Sequence, residues 1–280
     1  KVLTPTGWRK MGELKVGDQV MAETGKPTRI IKVFPQGKKQ IFRVEFSDGS
    51  STECCDDHLW LTYNYRERCG TAQAAKLGKD WPYAKPKVRT LAEIRRTLID
   101  EAHPSKPKNH SIPMVAPVEF KERSVKLDPY LMGVLLGDGH IRAKGATFTS
   151  ADPEIADLVK LPDHTELSSA PKQKTVALTY TIKGTRWHNN PVTEILKDYG
   201  LQGLLSSHKF VPEDYLFNTI DVRLGVLQGL MDTDGYVDRR GTSCYYATVS
   251  PKLAENVAFL VQSLGGTAIT SVKEKSYRNK

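Results

Sequence analysis

The sequence predicts an α+β protein in which an all-β N-terminal region, residues 1–115, precedes an α/β domain over residues 116–280. Three observations support this prediction. Residues 1–62 contain short strand-like runs separated by turn signals. An apolar motif that ends in Asp-Gly occurs twice, and helix-like and strand-like segments alternate after each copy. The repeat predicts two pseudo-symmetric αββαββα-like halves, at about residues 127–210 and 211–280, of which the second is shortened.

In the N-terminal region, the strands are assigned from apolar runs between turn residues. Thr-Pro-Thr-Gly at residues 4–7 and Ser-Asp-Gly-Ser at residues 47–50 are turn signals. Residues 16–21 and 41–46 have strand character, because β-branched and aromatic side chains recur in them.

Residues 63–112 form a basic, proline-bearing segment with 11 basic and 5 acidic residues. One helix is predicted there at residues 91–101, since Leu91, Ile94 and Leu98 have helical spacing. The segment is either a structured insert or a mobile arm. Its charge is compatible with DNA contact and equally with a solvated loop.

In the C-terminal domain, the order of elements recurs after each motif copy. Prolines in the first turns of two helices, after Ser150 and Ser250, mark corresponding positions in the two halves. The predicted elements are a strand at residues 147–150, a helix from residue 152, strands around 175–183, a helix at 191–199, a strand at 245–249, a helix at 251–264 and a strand at 267–274.

The two motif copies read Leu-Met-Gly-Val-Leu-Leu-Gly-Asp-Gly at residues 131–139 and Leu-Gln-Gly-Leu-Met-Asp-Thr-Asp-Gly at residues 227–235. Their final aspartates, Asp138 and Asp234, are 96 residues apart (234 − 138). Small residues recur one helical turn apart in both copies, which predicts two closely packed helices. These residues are Gly133 and Gly137 in the first helix, and Gly225, Gly229 and Thr233 in the second.

Close packing of these helices would bring the two aspartates together at the helix C-termini. A carboxylate is unfavourable at this end of the helix dipole, and two of them should raise at least one pKa. A divalent cation such as Mg²⁺ would favour the arrangement, because Mg²⁺ takes one or two carboxylates together with phosphate oxygens. Gly139 and Gly235 are predicted to end the helices in the left-handed conformation.

These motifs resemble the paired motifs of LAGLIDADG homing endonucleases, in which the eighth position carries the metal-binding acid. Asp138 and Asp234 occupy that position here. Asp232 is not assigned as a metal ligand, because its counterpart in the first copy is Leu136. Residues 206–212, Ser-Ser-His-Lys-Phe-Val-Pro, resemble the block that supplies a lysine in this family, which corresponds to Lys209.

The resemblance implies Mg²⁺-dependent (or Mn²⁺-dependent) hydrolysis of double-stranded DNA at a long, specific site, giving staggered ends. Because one chain supplies both acids, a monomer is expected. Antiparallel sheets would lie in the major groove, and basic side chains along their strands are candidate DNA contacts. These are Arg142, Lys144, Lys172, Lys174, Lys183, Arg186, Arg239, Arg240, Lys273 and Lys275.

The N-terminal region resembles an intein, a protein-splicing element whose splicing domain has the all-β Hint fold. Residues 2–20 resemble the stretch after the first splice residue, and residues 48–58 resemble the second splicing block. His58 matches the histidine that polarises the scissile amide, whereas Cys55 replaces the threonine of that block. The resemblance implies host-protein exteins as partners. Without an N-terminal nucleophile or a terminal His-Asn pair, this chain is not expected to splice by itself.

Composition sets wider bounds. The net charge of +9 favours an anionic partner, but residues 1–115 carry +8 of it. The sequence shows no membrane-spanning run and no signal peptide, and the four cysteines make no disulfide framework, so a reducing, cytoplasmic location is expected. Zinc binding is a minor alternative for a second set of residues, Cys54, Cys55, His58 and Cys69. The spacing of these residues matches no standard zinc site.

Three other functions are compatible with the sequence. The chain is alternatively a DNA-binding remnant that no longer cuts, a splicing element with a passenger endonuclease, or an RNA-intron maturase. The presence of Asp138, Asp234 and Lys209 together favours an active nuclease over a remnant.

Overall fold

The computed structural model describes residues 1–78, 85–101, 103–142, 145–171, 176–186 and 189–274, excluding the side chains of residues 73–75. The candidate DNA contacts Lys144, Lys172, Lys174 and Lys275 lie outside these residues.

The chain forms two compact units, one of Lys1–Ile31 with Ala116–Lys280 and the other of Lys32–Val115. The second unit ends at Val115, and the first 31 residues pack with the C-terminal part of the chain, whereas the sequence grouped residues 1–115 together.

The N-terminal segment of the first unit consists of two antiparallel hairpins. Glu119 N donates to Gly25 O over 2.7 Å, which joins this segment to the chain that leads into the C-terminal domain. Gly25 has a φ of +75°, and a Cβ there would lie 2.9 Å from the carbonyl carbon of Pro117, so glycine is required. The strands are β1 (Val2–Thr4), β2 (Gly7–Arg9), β3 (Gln19–Met21) and β4 (Pro27–Arg29).

Among its described residues, the second unit holds one further hairpin, a second antiparallel strand pair whose strands are separated in sequence by a helix, and two helices. In its described part, the basic segment is structured: β8 pairs with β7, and a capping box of Thr90 and Glu93 starts a helix that ends five residues before the predicted end. The sequence did not predict the longer helix of this unit. The elements are β5 (Phe42–Glu45), β6 (Ser51–Cys54), β7 (Leu59–Thr62), α1 (Tyr65–Leu77), β8 (Lys87–Thr90) and α2 (Leu91–Arg96).

Glu67 of α1 is a buried acid in this unit and accepts a 2.8 Å hydrogen bond from Arg89. Burial alone would raise the pKa of Glu67, but Arg89 and the Asn64 amide hold it below its usual value. The buried pair therefore ties α1 to β8.

The first half of the C-terminal domain has the predicted αββαββα order. Its four antiparallel strands form one sheet in the order β11-β12-β10-β9. The elements are α3 (Pro129–Leu136), β9 (Gly139–Arg142), β10 (Gly145–Ser150), α4 (Pro153–Leu158), β11 (Thr165–Pro171), β12 (Leu178–Gly184) and α5 (Pro191–Asp198).

In its described part, up to residue 274, the second half repeats the first four elements of this order. The strand predicted at residues 267–274 is wrong, because residues 264–274 form no strand and Val272 is 97% exposed. An apolar run pairs only where a neighbouring strand accepts its hydrogen bonds. The elements, after a short helix α6 (Glu213–Leu216), are α7 (Ile220–Asp234), β13 (Gly235–Val237), β14 (Cys244–Tyr246) and α8 (Pro251–Ser263).

Helices α3 and α7 lie in the centre of the core, and α3 is buried from Leu131 to Leu136. Arg223 of α7 is also fully buried and donates to backbone oxygens of Val118, Asn218 and Ser263. Its guanidinium therefore ties α7 to α8 and to the segment before α3. Among the described residues, no helix is long and apolar enough to cross a membrane.

Candidate functional site

The site is built on the contact between α3 and α7. A Cβ at Gly133 would lie 2.9 Å from the Gly229 Cα, and a Cβ at Gly229 would lie 2.8 Å from the Val134 nitrogen. A Cβ at Gly225 would lie 3.0 Å from the Pro129 Cβ. The small-residue stripe thus allows backbone-to-backbone packing of the two helices, as predicted.

The same packing carries the two motif aspartates to one end of the helix pair. Asp234 is the last residue of α7, and Asp138 lies two residues beyond α3. A Cβ at Gly137 would lie 3.5 Å from an Asp234 carboxylate oxygen, so this carboxylate lies against the end of the opposite helix. Asp138 is exposed and Asp234 is half-buried.

The two carboxylates interact electrostatically. Burial raises the pKa of Asp234, the charge of Asp138 raises it further, and Lys209 opposes the increase. The expectation that convergence raises at least one pKa is confirmed for Asp234. Asp232, which was not carried over from the family, accepts a 2.8 Å hydrogen bond from the Tyr130 hydroxyl instead.

The glycines after the aspartates are required for a different reason than predicted. Gly235 has an extended backbone with φ −90°, and neither it nor Gly139 is in the left-handed region. Both start strands that fold back against their own helix. A Cβ at Gly139 would lie 2.6 Å from the Leu135 carbonyl carbon, and one at Gly235 would lie 2.8 Å from the Met231 Cα. Steric space, and not a left-handed turn, requires these glycines.

Lys209 is buried at the C-terminal end of α3. Its three N–H groups are shared among four carbonyl oxygens at that helix end, which lie 2.7–3.1 Å from Nζ. The acceptors belong to Leu135, Leu136, Gly137 and Gly139. Burial lowers the pKa of Lys209, and the carboxylates of Asp234 and Asp138 oppose the decrease. A cation that bonds the carbonyls at a helix C-terminus offsets the negative end of the dipole.

The segment around Lys209 is itself fixed by α8. The Ser250 hydroxyl, which caps α8, donates to the Lys209 carbonyl over 2.7 Å, and Asn256 Oδ1 accepts from Val211 N. Lys209 was predicted to support the attacking water or the developing charge. In the structure its ammonium contacts the backbone that leads to Asp138, which is the geometry of a positioning residue.

The four-stranded sheet has one face in the core and one polar face. Ile141, Phe148 and Ile182 are buried, so the alternate residues of β9, β10 and β12 lie on the opposite face. We call this the polar face. It comprises His140, Arg142, Thr147, Thr149, Thr179, Thr181 and Lys183.

Two predicted DNA contacts, Arg142 and Lys183, therefore share the polar face, and Arg142 is in close contact with His140. The row of four threonines on this face was not predicted from the sequence. The alternation of buried and partly exposed residues around Phe148 and Ile182 could have indicated it. Of the other basic candidates, Arg186 follows β12, Arg239 and Arg240 form the turn between β13 and β14, and Lys273 lies after α8; all are exposed.

The residues of the splicing block lie in the second unit. His58 precedes β7 and is exposed, with its ring 5.3 Å from the Trp60 ring, and Cys55 is half-buried. Among the described residues, no group of three or more His, Cys, Asp or Glu side chains is arranged to hold a metal ion. Two carboxylates leave a cation's ligand shell incomplete, and Mg²⁺ commonly completes it with water and phosphate oxygens.

Comparison with known proteins shows that residues 221–280, which include the second motif, match the LAGLIDADG-like domain family. This match supports a homing endonuclease domain. The chain is 34% identical to the replicative DNA helicase DnaB of Mycobacterium intracellulare, over 99% of the chain and 43% of the helicase.

The chain is also 25% identical to the ATP-dependent DNA helicase Hel308 of Thermococcus kodakarensis, over 95% of the chain and 27% of that protein. It is 28% identical to the DnaB helicase of Rhodothermus marinus, over 85% of the chain and 23% of that protein. The chain thus spans less than half the length of these curated relatives.

Proposed function

We propose that this chain is a site-specific double-strand DNA endonuclease of the LAGLIDADG homing type, carried within a host protein as part of an intein. The observation that carries the nuclease proposal is the backbone contact between α3 and α7, which brings Asp138 and Asp234 to one end of the helix pair. Neither helix needs an acid there for stability, because the dipole at that end is already negative.

The donor set fits Mg²⁺ or Mn²⁺. Burial raises the pKa of Asp234 and the charge of Asp138 raises it further, so the pair favours a bound cation, and hard divalent ions take carboxylate, phosphate and water oxygens. When bound, such an ion would activate water and stabilise the charge that builds on the phosphate. Asp138 and Asp234 would hold it, and DNA would supply the missing oxygens.

The remaining residues would bind and orient the DNA. Arg142 and Lys183 would contact phosphates, and the threonine hydroxyls of the polar face would donate to and accept from base edges in the major groove; their common face of the sheet supports this. Lys209 would keep the end of α3, and with it Asp138, in place.

The relatives support an element carried inside a host protein. Two differently named helicases match nearly the whole chain, yet the chain covers only 43% and 27% of them. A segment that is shared by differently named proteins, and that covers only part of each, is what an inserted element would give.

The test is cleavage of a randomised duplex library in Mg²⁺, followed by sequencing of the cut ends. Reactions in Ca²⁺ and reactions with the Asp138→Asn variant are the controls. We expect one long sequence to be cut by the unmodified protein in Mg²⁺ alone. Enrichment of a sequence by binding without any cut would refute the nuclease and leave a DNA-binding module.

A further inference from the structure

Tyr246 lies directly beside the aspartate pair. It pairs across the β13–β14 hairpin with Gly235, the residue after Asp234, and Ala247 N lies 3.4 Å from the Asp234 carbonyl to which it donates. Burial raises the pKa of the Tyr246 phenol, and the carboxylates of Asp234 and Asp138 raise it further. The hydroxyl therefore lies within electrostatic reach of both acids.

The Tyr246 hydroxyl oxygen is fully buried, and no group among the described residues is placed to form a full hydrogen bond with it. The Thr248 side chain only approaches it, which lowers the phenol's pKa slightly against the effect of burial. A buried polar group without a partner destabilises a fold, and a catalytic role or a bound water or ion is a common reason for such a group in a native protein.

The fold does not require a hydroxyl at this position. In the first half, Gly139 pairs with Phe148 just as Gly235 pairs with Tyr246. Phe148 occupies the same place after the first aspartate as an apolar ring, stacked 5.0 Å from Tyr180. The hydroxyl thus distinguishes the Asp234 side of the pair from the Asp138 side.

We propose that Tyr246 is a positioning residue whose hydroxyl donates a hydrogen bond to the Asp234 carboxylate when a divalent cation is bound. This inference rests on the proposed function. The two acids are then supported differently: Lys209 fixes the backbone before Asp138, and the phenol orients the carboxylate of Asp234. Hydrogen bonds to metal-ligating carboxylates fix their orientation and strengthen metal binding.

The test measures Mn²⁺ affinity by electron paramagnetic resonance of the free ion, with the full chain and its target duplex. Loss of such a hydrogen bond weakens metal binding by ~10-fold to ~100-fold, which we expect for Tyr246→Phe. The matched control is Tyr199→Phe, because the Tyr199 hydroxyl is also buried and without a partner. This control should bind Mn²⁺ as the unmodified protein does.

Asp234→Asn separates the two proposals. If it binds Mn²⁺ as tightly as the unmodified protein, the proposed metal site is wrong and the role of Tyr246 is wrong with it. If Asp234→Asn loses Mn²⁺ while Tyr246→Phe retains full affinity, only the role of Tyr246 is refuted. A lower thermal stability of metal-free Tyr246→Phe, together with weaker Mn²⁺ binding, would also refute it, because the hydroxyl would then support the fold itself.

Discussion

Replacement of Gly229 by alanine tests whether the contact between α3 and α7 sets the geometry of the site. The added Cβ would lie 2.8 Å from the Val134 nitrogen and 3.0 Å from the Gly133 Cα. Because these are backbone atoms, no side-chain rotation relieves the overlap and the helices must move apart.

The expected loss of stability follows from two opposing contributions. Overpacking costs ~1–3 kcal/mol, and the upper end applies where backbone atoms meet. Alanine regains ~1 kcal/mol over glycine inside a helix. We therefore expect Gly229→Ala to lower the free energy of unfolding by ~2 kcal/mol.

The matched control is Gly12→Ala. Gly12 has a φ outside the left-handed region, and nothing lies within 4 Å of a Cβ built there. This change should be neutral or stabilise the protein by up to ~1 kcal/mol. Thermal unfolding followed by circular dichroism compares the two variants directly.

Cleavage gives the second measurement on the same proteins. Separation of the helices displaces Asp234 from Asp138, and a shift of about 1 Å costs ~100-fold in rate. If Gly229→Ala unfolds at the same temperature as Gly12→Ala and cuts DNA at the rate of the unmodified protein, close helix packing does not determine the geometry of the site.

Three further predictions concern the charged groups. Asp138→Asn or Asp234→Asn should abolish cleavage while specific DNA binding in Ca²⁺ stays nearly intact; loss of binding in a gel-shift assay would mean that these acids are structural. Lys209→Met should lower the free energy of unfolding by ~3 kcal/mol, and with it the melting temperature, because four carbonyls lose a charged donor. The exposed Lys252→Met is its control, and an equal melting temperature for both would contradict the role given to Lys209. The pKa of Asp234 is raised above its usual 3.8, so between pH 3.8 and the raised pKa the native protein keeps a proton that the unfolded chain has released. Metal-free protein therefore loses stability as pH rises through the raised pKa, and Asp234→Asn should be the more stable protein at pH 7. That advantage should vanish as the pH falls toward 3.8; urea unfolding at a series of pH values would show a constant difference if the carboxylate did not matter.

Local signals explain which helices the sequence predicted well. The helices that begin after Asp128, Asp152, Asn190 and Ser250 all have a capping side chain and a proline in the first turn, and the structure shows each cap. The small-residue stripe likewise predicted the α3–α7 contact, since its spacing depends on one helix at a time.

Features that depend on residues far apart in the sequence could not be predicted from it. Helix α1 was missed because its polar and apolar residues are not separated into faces. The strand at residues 267–274 has suitable residues but no partner among the described ones. Lys209 binds backbone carbonyls, which every sequence offers equally, so its acceptors have no sequence signature.

Two groups at the end of the helix pair reduce stability in the metal-free protein. Asp234 is a carboxyl with a raised pKa, and Tyr246 has a buried hydroxyl without a partner. Apolar side chains of similar size would stabilise the fold better at such positions, as Phe148 does opposite Gly139. Unfavourable groups that converge on one point are typical of functional sites. A cation between the two acids would relieve their repulsion and orient the carboxylate acceptor that Tyr246 lacks.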